Sequence, residues 1–178
     1  MAVAYVEATG VTTPDNFSLA AGASKPLAVN SPDDEATSYI ASGTTLNTYQ
    51  YLTASPGLSP GDLITQIEAV IRARRGGAND VTLRVGYAFT PQGGGSQTSE
   101  SAAGAMTAVT NWTTFTFTHS GLSVPWGSDL QFWVRNTQGR ILHVTTFYLV
   151  ITYTPAATVA AGPLVNAPRL KSKLRGLA

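Results

Sequence analysis

The chain has 178 residues, with 11 Lys and Arg against 10 Asp and Glu (formal net charge +1), 43% hydrophobic and 12% charged residues, and no cysteine. That length suits one domain, or one domain with an appendage, and so apolar a composition excludes a disordered chain. The missing cysteines exclude disulfides, thiolate metal sites and thiol nucleophiles, and the near-neutral charge excludes a broad nucleic-acid-binding face.

The first residues, Met-Ala-Val-Ala-Tyr-Val-Glu, have no basic stretch followed by an apolar core, so no cleaved secretory signal is expected. No apolar run approaches the ~20 residues needed to span a bilayer, so no membrane partner is expected. In the N-terminal third, Ala4 to Ala8, Lys25 to Asn30, Ser38 to Ile40 and Thr48 to Thr53 are short candidate strands separated by Pro, Asp, Ser and Gly. Ser31-Pro32-Asp33-Asp34 reads as a turn carrying solvated acids, because the run lacks the spacing of a calcium loop.

Ile64 to Arg74 alternates, with Ile67, Ala69, Ile71 and Ala73 on one face and Gln66, Glu68, Arg72 and Arg74 on the other. The spacing predicts a half-buried strand between the Pro60-Gly61 and Gly76-Gly77 turns, while its Glu, Ala and Arg content leaves a helix open. Val81, Leu83, Val85, Tyr87 and Phe89 then share one strand face, and Thr82, Arg84, Gly86 and Ala88 the other. Thr90 to Thr110 has no periodicity and reads as a long loop, with Pro91 to Ala105 a place for contacts with a neighbour.

Trp112 to His119 alternates Thr with Phe115 and Phe117; Leu130 to Arg135 points Leu130, Phe132 and Val134 inward; Ile141 to Tyr153 is apolar on both faces, as a central strand is, and Pro155 ends it. These elements predict an all-β domain over residues 1–155. Its expected form is a two-sheet antiparallel sandwich, jelly-roll-like, of about eight or nine strands. An immunoglobulin-type sandwich is the alternative, without its Cys-Trp-Cys hallmark. Residues 156–178 are expected to be an extended C-terminal arm. Arg169, Lys171, Lys173 and Arg175 lie there without an acid, which leaves seven basic against 10 acidic side chains in the body.

No catalytic set emerges. His119 and His143 are the only histidines and lack HxH or HExxH spacing, so no metal and no cofactor are expected. Glu68 has no second carboxylate in glycosidase spacing, and there is no G-x-S-x-G elbow, P-loop or dinucleotide fingerprint. The expectation is a non-enzymatic binding or structural protein. Trp112, Trp126 and Trp133 are candidates for a sugar platform, with Trp126 and Trp133 as possible ligand or interface aromatics and Trp133 on the strand face opposite Phe132. In the arm, Arg169, Leu170, Lys171, Lys173, Leu174 and Arg175 are candidate partner-binding residues, ordering on a neighbour's surface.

The run Pro60-Gly-Asp-Leu-Ile-Thr-Gln-Ile through Ile71-Arg-Ala-Arg74, then Trp112-Thr-Thr-Phe-Thr-Phe, Leu130-Gln-Phe-Trp-Val-Arg135 and Val144 to Pro155, resembles jelly-roll virion proteins of tailed bacteriophages. The resemblance spans about residues 37–155 and implies a virion structural protein made in the host cytoplasm. A capsid decoration (cement) protein is implied first. Its partners would be other virion proteins, the major capsid protein foremost, and further copies of itself, a trimer favoured, with no nucleic acid. The alternatives are a tail or collar component, or a carbohydrate- or receptor-binding β-sandwich module.

Overall fold

Alternation at period two decides the architecture, because a strand with one apolar face is stable only when that face is covered by a second layer. The computed structural model describes residues 1–21, 24–30 and 38–157. They form β1 (Ala2–Glu7), β2 (Gly10–Asp15), β3 (Phe17–Ala21), α1 (Lys25–Asn30), β4 (Tyr39–Ser42), β5 (Thr48–Thr53), β6 (Leu63–Arg75), β7 (Val81–Pro91), β8 (Gln97–Glu100), β9 (Met106–Ala108), β10 (Thr113–Asn136) and β11 (Leu142–Thr154). All pairings are antiparallel.

The first sheet runs β3-β4-β11-β6-β10, with β1 beside the later part of β11. The second runs β2-β5-β10-β7, with β8 and β9 on the far edge of β7. The all-β sandwich expected from the sequence is therefore the fold.

The long β10 belongs to both layers. Thr113 to Pro125 pairs with β6 in the first sheet, and Trp126 to Asn136 pairs with β5 and β7 in the second. Sequence reading separates these into two strands because Gly121, Pro125, Gly127 and Asp129 interrupt the alternation. In the structure those residues bend one strand from layer to layer, with register shifts after Ser120 and around Ser128. Gly127 permits the crossing, since a Cβ there would lie 2.4 Å from the Thr90 carbonyl oxygen.

Ile67, Ala69, Ile71 and Ala73 of β6 are fully buried, which resolves this segment as strand, not helix. They face Leu52, Leu83, Val85, Phe132 and Val134 from the opposite layer. Phe132 and Phe147 meet edge to face at 4.8 Å, joining the second sheet to the first.

Three expectations are corrected. Lys25 to Asn30 is a short helix, not a strand: Pro26 suits a first turn, Ala28 N–H donates to the Ser24 carbonyl at 2.8 Å, and Ala28 and Val29 are buried. Asn30 ties it to the sheet end, accepting from Ala8 N–H and donating to Ala8 C=O. Thr90 to Thr110 is not one loop, since β8 and β9 fold back onto β7; β8 is polar throughout, and the three residues of β9 are too few for their alternation to be read. The strands number eleven among the described residues because β2, β3, β8 and β9 are too short, three to six residues each, to show a readable alternation.

Two anchors carry predictions. Asp62 is buried, and its carboxylate accepts Ser59 N–H and Ala156 N–H, each at 2.8 Å, so one side chain ties the β5–β6 connection to the chain just beyond β11. Asp62→Ala leaves two backbone donors without an acceptor and lowers stability by about 2–3 kcal/mol, measured by urea unfolding. Tyr87, wholly inside, has its hydroxyl pushed up to about 12 by burial and shares a 2.5 Å hydrogen bond with His119 Nδ1. The unfolded chain ionises this phenol near pH 10 and the fold resists ionisation until about 12, so its stabilisation is complete below pH 10 and is lost as pH rises toward 12. Tyr87→Phe makes that alkaline decline in unfolding free energy shallower.

Candidate functional site

The outer face of the second sheet, turned away from the core, gathers the chemistry. On β5, Tyr49 and Tyr51 point outward while Thr48, Gln50 and Leu52 are buried, as alternation requires. Register sets Tyr51 beside Trp133 of β10, Trp133 beside Gly86 of β7, and Gly86 beside Glu100 of β8. The next row sets Tyr49 beside Arg135, and Arg135 beside Arg84.

These side chains contact one another. Tyr51 stacks on Trp133 with centroids 5.2 Å apart and planes 20° from parallel, and Tyr49 follows at 5.7 Å. The guanidinium of Arg135 sits 5.1 Å over the Tyr49 ring and donates to Asn47 Oδ1 at 2.9 Å. Glu100 is the hub: it accepts from Arg84 at 2.9 Å and from Trp133 Nε1–H at 3.1 Å, and lies 3.7 Å from Arg135. Gly86 lets the indole lie down across the sheet, because a Cβ there would stand 2.5 Å from Trp133 Cζ2 and 2.6 Å from the Ser99 carbonyl oxygen.

Burial, with the Tyr49 hydroxyl and the Glu100 carboxylate adding to it electrostatically and Arg135 opposing, holds the Tyr51 hydroxyl above its ordinary pKa. The ladder therefore offers phenol donors, guanidinium donors and a carboxylate acceptor along one row of stacked rings. Tyr49 and Tyr51 remain partly accessible along it.

The sequence candidates fare differently. Trp133 is on the outer face as read, but is only 6% exposed, so it backs Tyr51 and is not an open platform. Trp126 belongs to the core, 5% exposed and 5.6 Å from Phe89, and presents no surface to a ligand or a partner. Trp112 lies at the end of the first sheet, under the guanidinium of Arg74 at 4.6 Å and edge-on to Tyr39. There His143 packs on Tyr39, and burial with the Arg74 charge lowers its pKa. His119 and His143 are thus separate, and no group of three or more His, Asp or Glu could hold a metal among the described residues.

Arg169, Leu170, Lys171, Lys173, Leu174 and Arg175, like Asp33 to Glu35, lie outside the described residues. Of the ladder, Trp133, Arg135, Arg84 and Gly86 were assigned to outward faces from sequence. Tyr49 and Tyr51 could have been found from the alternation of Thr48 to Thr53. Glu100 could not, because it sits in the stretch read as a loop.

A pocket of about 200 Å³ lies elsewhere, between the β6–β7 and β10–β11 turns, lined by Thr44, Asn79, Arg140 and their neighbours. Its cation is already engaged, since Arg140 donates to the Asp80 carbonyl.

No protein-family model and no curated protein matches the chain. Its fold is similar to the CBM22-1 xylan-binding domain of Paenibacillus barcinonensis Xyn10C, at 12% identity and a TM-score of 0.52, over 85% of this chain and 94% of that one. It is similar also to the CBM22-1–CBM22-2 tandem domain of the same protein, at 12% identity and a TM-score of 0.53, over 88% of this chain and 47% of that one. At such identity the likeness is one of fold. These neighbours are carbohydrate-binding β-sandwich modules and not virion proteins, and what they share with the expected phage jelly roll is the sandwich fold.

Proposed function

We propose that this domain is a non-catalytic carbohydrate-binding module that engages a glycan on the outer face of its second sheet. The observation that carries this reading is the ladder Tyr49–Tyr51–Trp133 flanked by Arg84, Glu100 and Arg135. Saccharides present apolar C–H faces and rows of hydroxyls, and aromatic edges beside planar charged donors and acceptors meet both. The fold likeness to a xylan-binding domain supports the same reading. In it, Tyr49 and Tyr51 contact the sugar, Arg84, Arg135 and Glu100 hydrogen-bond its hydroxyls, and Trp133 and Gly86 hold Tyr51 and Glu100 in position.

The reading reverses the order implied by the virion resemblance. Capsid cementing, implied by the resemblance over residues 37–155, would act through residues 169–175, which lie outside the described residues. Affinity electrophoresis through gels containing soluble polysaccharides, xylan first, with neutral and uronate-bearing members, tests the proposal. Retardation by at least one polysaccharide, reduced by Tyr51→Ala, is expected; free migration in every gel would refute it.

A further inference from the structure

The first half of β10 is an open sheet edge. Residues 113–125 pair with β6 on one side, and among the described residues no strand pairs with the other. Natural edges are protected by charged side chains, proline or inward-pointing lysine. Thr113 to His119 carries no Asp, Glu, Lys, Arg or Pro, and its register with β6 is unbroken, the irregularity falling later, between Ser120 and Val124. Its side chains reflect the opening: Thr114, Thr116 and Thr118 are exposed on the outer face, and the inward Phe115 and Phe117 reach the core yet remain only partly buried.

The segment Thr114-Phe115-Thr116-Phe117-Thr118 reads the same in both directions. An antiparallel pair related by a two-fold axis at Thr116 sets Thr116 against Thr116, Phe115 against Phe117, and Thr114 against Thr118 of the second copy. Phe meets Phe on the inner face and Thr meets Thr on the outer, the cross-strand pairs that stabilise antiparallel ladders. A two-fold interface must be self-complementary, and a palindromic edge meets that condition without any other surface.

We propose that the β10 edge is a self-association seam: two copies of this chain pair Thr113 to His119 antiparallel about Thr116, extending the first sheet across the dimer and covering Phe115 and Phe117. The edge is consumed by one neighbour, so the assembly closes at two. This differs from the trimer implied by the virion resemblance.

Sedimentation velocity over a concentration series tests the seam with the full chain. The native protein is expected at twice 18.6 kDa. Thr116→Lys sets like charges across the axis, and Thr116→Glu does the same with the opposite sign, so each variant alone is expected at the mass of one copy, still folded and unfolding cooperatively, with a melting temperature that no longer depends on concentration. Mixing the two in equal amounts brings opposite charges together and restores the two-copy mass, which general damage to the fold would not do. Should either variant unfold, Thr114→Glu combined with Thr118→Lys serves instead: it pairs opposite charges twice within one dimer, whose two-copy mass then becomes salt-sensitive. A native protein that stays at one copy, a three-copy mass, a dimer indifferent to Thr116→Lys, or a mixture that fails to reassociate would each overturn the proposal.

Discussion

Phe147→Ala lowers the unfolding free energy by about 3–5 kcal/mol, the cost of emptying a fully buried aromatic site whose surroundings relax only in part. Phe147 stands on β11 and meets Phe132 of β10 edge to face at 4.8 Å, so the substitution removes the contact through which the layers interlock. Domains of this size have about 5–15 kcal/mol in total, so the loss is a large share. Val150 lies on the same strand, half-buried on the outer face, and Val150→Ala should cost much less. Chemical unfolding of both variants gives the comparison; equal losses would show that the two layers are not packed through this pair.

Glu100→Ala removes the carboxylate that accepts from Arg84 and the Trp133 indole and pairs electrostatically with Arg135. The partly buried guanidiniums and the indole N–H then turn to water or rearrange, and the ladder loses its fixed geometry. Glycan affinity is expected to fall about thirtyfold or more, which is ~2 kcal/mol, the size of a hot-spot loss. Stability should change less than in Phe147→Ala, because the side chains of Glu100, Arg84 and Arg135 all keep about a quarter of their surface in solvent. Isothermal titration of both proteins with the polysaccharide that retards the native chain measures the difference. Glu100→Gln keeps an acceptor for the indole and should lose less.

Strand identity was legible in the long strands that bury one face. The alternation of Ile67, Ala69, Ile71 and Ala73, and of Val81 through Phe89, is the direct imprint of a single covered face. Gln97 to Glu100 left no imprint, because β8 is a short, largely polar edge strand held by backbone pairing to β7. The continuity of β10 was hidden for a related reason: a strand that changes layers must bend, and bending residues look like turn residues.

The site shows the same division. Outward positions such as Trp133 and Arg84 follow from period two, but their meeting depends on register. Which residue stands opposite which is decided by bulges and connections across long separations, 82 positions between Tyr51 and Trp133, and no local pattern encodes it. Trp126 was a candidate on indole chemistry alone, which does not say which way the ring points; in the crossing of β10 that side chain is turned inward onto Phe89.

The chain has three tryptophans, and their indole N–H groups give three separate resonances in a nitrogen–proton correlation spectrum. Only that of Trp133 is bonded to Glu100 within the ladder; Trp126 is in the core and Trp112 lies at the far end of the first sheet. Titration with the retarding polysaccharide, or an oligosaccharide of it, should shift the Trp133 indole signal in a saturable manner and leave the other two in position. A glycan that binds while moving the Trp112 signal alone, or none of the three, would contradict binding on the outer face of the second sheet.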